Sequence, residues 1–144
     1  MKFPVNCNAK FFNAERDTIN GIVHTKSNAF IGALFLMDTG CPYTFLSPID
    51  IKKARIRIGS GEFFQTINIS KLNLNLYDFG WNAFSFRNEN GELSKIEQKI
   101  YGCTLPNGVS LNTYLPSFLG KDFLDKCTIT KKNQDGIKFL DIDL

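Results

Sequence analysis

Apolar side chains along this chain recur at every second residue rather than every third or fourth. Phe3, Val5, Cys7, Ala9 and Phe11 fall on one face of an extended segment, and Lys2, Asn6, Asn8 and Lys10 fall on the other. Successive side chains of an extended backbone point to opposite sides, so this period predicts a strand with one buried face. A second extended run follows the polar stretch Asn13 to Asp17 and carries Ile19, Ile22 and Val23. A third, Ala29 to Met37, is apolar on both faces and predicts a core strand. The pattern continues in Ile67 and Ile69, then in Leu72, Leu74 and Leu76 in shifted phase as across a bulge, then in Phe84 and Phe86. Turn residues at Asn88-Glu89-Asn90-Gly91 and Asn133-Gln134-Asp135-Gly136 predict two hairpins.

Helix signals are few. Ser47-Pro48 reads as an N-cap followed by proline at the first helical position, leading into Ile49 to Ala54, and Lys121 to Cys127 is a second short candidate. Many short strands with two brief helices predict an all-β, closed barrel. At 144 residues the chain has the length of one domain, 1–144, able to bury roughly two-thirds of its unfolded surface without staples.

Composition excludes several classes of function. The net charge of +3 comes from 17 basic and 14 acidic residues, dispersed with no basic run longer than Lys52-Lys53 or Lys131-Lys132, which is too dilute for a nucleic-acid footprint. Ala29 to Met37 is roughly half the length a membrane-spanning helix needs, and Met1 to Asn6 carries no apolar leader. The expectation is a cytoplasmic protein with no nucleic-acid or membrane partner. Cys7, Cys41, Cys103 and Cys127 are far apart, and His24 is the sole histidine, so zinc-ligand spacing is missing and reduced thiols with no metal are expected. Asp78-Phe79-Gly80 imitates a kinase magnesium triplet, but without a phosphate loop it reads as a turn; His24 has no evident triad partners.

The chemistry concentrates at Asp38-Thr39-Gly40, directly after the core strand. A carboxyl emerging there from an apolar interior is partly desolvated, and the glycine lets the backbone bend close around it. The stretch from Ala33 to Pro48 resembles the active-site segment of retropepsin-like aspartic proteases: an apolar strand, Asp-Thr-Gly, a threonine four residues after the glycine at Thr44, and a helix opened by Ser47-Pro48. About eighty residues later, Leu115 to Leu124 is similar to that family's second signature, with Phe118, Leu119 and Gly120 followed by Lys121, Asp122 and a short helix. Ile58-Gly59-Ser60-Gly61, ahead of Glu62, resembles the glycine-containing hairpin tip that closes over substrate as a flap.

The resemblance implies a closed β barrel of the acid protease type, working as a twofold homodimer on peptide or protein substrates without a cofactor. Asp38, Thr39 and Gly40 would be catalytic, Ile58 to Gly61 would contact substrate, and Phe118, Leu119, Gly120 and Asp122 would brace the site. Chemistry alone also demands a second carboxylate, since one must take a proton from water while the other protonates the scissile carbonyl. One chain supplies one such motif, so two copies of Asp38 must meet across a dyad axis. At about 3 Å and an effective dielectric near 20, two ionised carboxylates repel by roughly 5 kcal/mol, so they share one proton. Two positions depart from the retroviral pattern: Cys41 stands in place of alanine or serine, and Pro42 removes the acidic partner of Lys121, leaving Asp122 or water to take that role. A thiol at 41 is a weak donor and would not stabilise an ionised dyad. The alternative reading is a catalytically idle dimer of the same fold that binds peptides or serves in assembly.

Overall fold

The computed structural model describes residues 1–26, 29–69, 72–105, 115–131 and 137–143. Its strands are β1 (Lys2–Phe11), β2 (Ala14–His24), β3 (Phe30–Met37), β4 (Phe45–Leu46), β5 (Glu62–Ile69), β6 (Leu72–Arg87), β7 (Leu93–Thr104), β8 (Ser117–Leu119), β9 (Cys127–Lys131) and β10 (Lys138–Ile142). They join in one sheet in the order β5-β6-β7-β4-β8-β3-β2-β1-β10-β9. A further β2–β6 pairing turns the sheet back on itself, so the succession β6-β7-β4-β8-β3-β2 returns to its first strand. Among the described residues the α-helices are α1 (Pro48–Lys53) and α2 (Lys121–Leu124). The architecture is mostly β, as the period-two pattern predicts, and among the described residues no helix is long and apolar enough to cross a membrane.

Several local expectations need correction. The second extended run begins earlier than Ile19, within the polar stretch: β2 starts at Ala14 because Phe12 and Asn13, at φ 55° and 63°, make a two-residue turn that pairs Phe11 with Ala14 and Ala9 with Arg16. The phase shift between Ile69 and Leu72 is a chain reversal, not a bulge. Ile67 pairs with Leu74 and Ile69 with Leu72, and the connecting residues 70–71 lie outside the described residues. Direct partners across a two-residue connection have opposite parity, so both arms present their leucines and isoleucines to one face.

The irregularity sits further along β6, at Asp78-Phe79-Gly80. Instead of a turn, these residues form a break in register within one long strand, where Gly80 takes φ 79° and donates its N–H to Asp78 Oδ1 at 2.8 Å. The Asn88 turn is as expected: Asn88 Oδ1 accepts from Asn90 N at 3.0 Å and Glu92 N at 3.1 Å, and Gly91 adopts φ 80°. The predicted turn at 133–136 lies outside the described residues, though β9 and β10 pair on either side of it.

α1 begins where predicted, with Ser47 Oγ accepting from Asp50 N at 3.1 Å and proline in the first turn. α2 stops at Leu124 rather than Cys127, because Cys127 opens β9 by pairing with Ile142. Two apolar clusters hold the sheet. One gathers Phe3, Phe35, Trp81, Phe84, Phe86 and Phe123 between the sheet's inner face and α2. The other gathers Leu36, Cys41, Phe45, Leu74, Leu76 and Phe118, joining the end of β3 to the β5–β6 hairpin. Burial of each large side chain contributes roughly 1.5–3 kcal/mol, so the second cluster fixes the position of whatever β3 carries at its end.

Candidate active site

β3 carries Asp38. Its last residues run parallel to β8, with Leu36 opposite Phe118 and Met37 opposite Leu119, and the Asp38 N–H donates to the Leu119 carbonyl at 3.1 Å. The chain then turns tightly: Gly40 N donates to Asp38 Oδ1 at 2.8 Å and Cys41 N donates to Asp38 O at 3.1 Å. Asp38 is half-buried, while Thr39 and Gly40 are exposed. Among the described residues Asp38 makes no ion pair, and the Thr39 hydroxyl makes no hydrogen bond.

Beyond the turn the chain is fastened to the second signature. Lys121 N donates to Cys41 O at 2.7 Å and Asp122 N to Pro42 O at 3.3 Å. A Cβ on Gly120 would fall 2.7 Å from Tyr43 N and closer still to its carbonyl, so only glycine allows the two backbones to approach this closely. The fully buried Thr44 completes the joint: its Oγ1 accepts from Gly120 N at 3.1 Å and donates to Asp122 Oδ1 at 2.8 Å. The Asp122 carboxylate also accepts from Thr44 N at 3.2 Å, Gln98 Nε2 at 3.1 Å and Phe123 N at 2.8 Å. On the other side, Ser117 Oγ accepts from Ser47 N at 2.8 Å and donates to Asp50 Oδ2 at 2.7 Å, linking β8 to α1. Phe118 and Leu119 are fully buried beneath the turn. Asp38, Thr39, Gly40, Phe118, Leu119, Gly120 and Asp122 are therefore brought together.

Ile58 to Gly61 are not part of this assembly. Ile58–Ser60 is a single 3-10 turn ahead of β5, with Ser60 Oγ donating to Arg57 O at 2.6 Å, rather than a hairpin tip. Gly59 has open space around it, and Gly61 is needed for a different reason: a Cβ there would meet the Phe79 ring at 2.7 Å. The long hairpin of the fold is β5–β6, whose connection at 70–71 falls outside the described residues.

Cys41 is fully buried, and its thiol donates to the Tyr43 carbonyl at 3.1 Å. Burial pushes that thiol up to about 12, so it is a packed side chain rather than a reactive one. All four cysteines are free. Lys121 pairs with Asp125 at 3.2 Å, not with Asp122, and both side chains are too exposed for the pair to contribute much. Next to the turn, Tyr43 packs edge-on against Phe64 and Tyr101, which stack on each other at 4.4 Å. His24 lies elsewhere, with Nε2 2.7 Å from Ser85 Oγ and its ring edge-on to Phe30. Among the described residues no group of three or more metal-ligating side chains is assembled.

Sequence reasoning missed Gln98 and Ser117. Both stand at apolar phases of their strands, Gln98 between Ile96 and Ile100 and Ser117 between Leu115 and Leu119, and a polar residue at a core phase was the available signal.

With this geometry in place, the comparison with solved structures is informative. The chain superposes on a retropepsin-like aspartic protease from Rickettsia conorii with a TM-score of 0.54 and 15% identity, covering 97% of this chain and 88% of that one. The fold is retropepsin-like. No family model matches the sequence, and no curated protein matches it. At 15% identity the likeness is one of fold, so the chemistry has to be argued from Asp38 and its supports.

Proposed function

We propose that the chain is an aspartic endopeptidase, hydrolysing peptide bonds with a water held between the Asp38 carboxylates of a homodimer. The observation that carries this reading is the fastening of the Asp38 turn to the second signature. Leu119 O, Gly120, Lys121 N and the Thr44–Asp122 joint all hold a loop whose one carboxylate has no ion-pair partner among the described residues. A carboxylate on a rigid turn is positioned for proton transfer, and such positioning lowers barriers by several kcal/mol. The exposed Thr39 hydroxyl is free to bond across the twofold axis and hold the second turn in register. In this scheme one carboxylate takes the proton of the water as its oxygen attacks the scissile carbon, and the protonated partner gives its proton to the carbonyl oxygen. Collapse of the tetrahedral intermediate reverses the roles and protonates the departing amine.

The test is cleavage of a mixed peptide library by the wild type and Asp38→Asn, with protein concentration varied. Hydrolysis should fall at least about 100-fold in the variant, and wild-type activity should rise more steeply than linearly at low concentration. Silence from a folded wild-type dimer, or equal cleavage by both proteins, would overturn the reading.

A further inference from the structure

A pocket of about 660 Å³ lies where Thr25, Lys26 and Ala29 between β2 and β3, the segment leaving α1 and the irregular stretch of β6 meet. It shares no residue with the Asp38 turn or with the Phe118–Asp122 segment. Its floor is apolar: Trp81 is almost fully buried, Phe79 stacks on it at 4.6 Å with the rings 15° apart, and Ile56 adds an aliphatic wall. Its rim is cationic, carrying Lys26, Arg55 and Arg57. No carboxylate is among the described residues that line it, and neither arginine takes part in an ion pair among them. Lys26 reaches over Gly80, beside an Asp78 that is already engaged by Lys99 at 2.7 Å.

The backbone supplies an independent observation. α1 ends with Arg55 N donating to Lys52 O and Ile56 N donating to Ile51 O, the paired bonds of a helix terminus whose outer residue is left-handed. That residue is Arg55, at φ 58°. Glycine is the ordinary occupant because a Cβ is disfavoured in this conformation. The chain instead holds an arginine there, and Arg55 lines the pocket.

We propose that this pocket binds a small organic anion, an aromatic or aliphatic body bearing a carboxylate or phosphate group. The body would lie on Phe79 and Trp81, and the anionic group would meet Arg55 and Arg57, whose planar forks match either oxyanion. The volume suits a small molecule, within the range of about 300–1,000 Å³ usual for such sites.

Trp81 is the single tryptophan of the chain and reports directly on occupancy. The experiment titrates the full chain with 3-phenylpropionate and with phenyl phosphate, following Trp81 emission, beside the neutral 3-phenylpropan-1-ol and inorganic phosphate. Saturable binding of at least one aromatic anion is expected, with both controls weaker by about tenfold or more. The stronger of the two anions identifies the preferred head group. Arg55→Gly should keep or raise the thermal midpoint while weakening the aromatic anion by about tenfold, and Arg57→Gln should weaken it similarly. No saturable binding of either anion, equal binding of the alcohol, or undiminished binding by Arg55→Gly would overturn the proposal.

Discussion

Thr44→Val tests the joint beneath the proposed active site. Valine matches threonine in shape and in β-branching, so the substitution removes the hydroxyl and little else. In the structure that hydroxyl accepts from the buried Gly120 N–H at 3.1 Å and donates to Asp122 at 2.8 Å. An unpaired buried N–H costs about 1–3 kcal/mol, and a hydrogen bond to a charged group contributes about 1.5–3 kcal/mol. Asp122 keeps three other donors, Thr44 N, Gln98 and Phe123 N, so the lower half of each range applies and the expected loss is about 3 kcal/mol. Thr44→Ser retains both bonds and loses one methyl, which costs about 1 kcal/mol. Urea denaturation at one fixed protein concentration gives both values, and the valine variant should also lose roughly 6 to 12 °C in thermal midpoint. Equal stability of the two variants would show that packing, not the hydroxyl, holds the joint.

Gly120→Ala should destabilise by about 1–3 kcal/mol or prevent folding, because its Cβ would press on the Tyr43 backbone, whereas Gly59→Ala should be neutral or slightly stabilising in the same denaturation assay. A thiol reagent at pH 8 should label Cys41 and Cys103 only on unfolding, since burial raises both thiols; peptide mapping after labelling of the folded protein would detect the contrary. His24, the single histidine, should titrate below its ordinary value, held down by burial first and then by Lys95, and its ring resonances give the curve directly. The folded state thus binds this proton less readily than the unfolded chain, so the His24 contribution is intact above about pH 6.5 and is lost as pH falls below it. A His24→Gln variant should lack that part of the pH dependence.

The strands and the Asp38 turn were legible because both are local. Period-two alternation needs only neighbours in sequence, and Asp38 follows the one strand that is apolar on both faces. The second signature was legible as a resemblance, but its reason was not: Gly120 is required by the Tyr43 backbone, 77 positions earlier in the chain, and no local pattern encodes that approach. Ile58 to Gly61 misled because glycines there suggested a tip, whereas Gly61 makes room for Phe79 from β6. The hairpin was marked instead by the parity change from Ile67 and Ile69 to Leu72 and Leu74, which a two-residue connection produces and which also imitates a bulge. Pocket-lining Arg55 was invisible for a different reason, since its left-handed backbone depends on how α1 ends rather than on the residue itself.

The origin of the supports separates two kinds of lesion at the proposed site. Leu119 O, Gly40 N, the Cys41–Lys121 bond and the Thr44 joint fasten the Asp38 turn within its own chain. These bonds form as each chain folds, so under the dimeric reading the entropy of fixing the turn is assigned to folding rather than to dimer formation. Under the dimeric reading, Thr39→Ala removes a bond between chains, so it should lower activity by depopulating the dimer and be rescued as protein concentration rises. Thr44→Val, assayed at a temperature where it remains folded, loosens the turn within each chain, so its defect should persist at saturating dimer. Sedimentation velocity supplies the dimer fraction at each concentration, and activity per dimer is the deciding quantity. If activity per dimer were normal in Thr44→Val and reduced in Thr39→Ala, the turn would be set by the partner and the assignment of its rigidity to the single chain would be wrong.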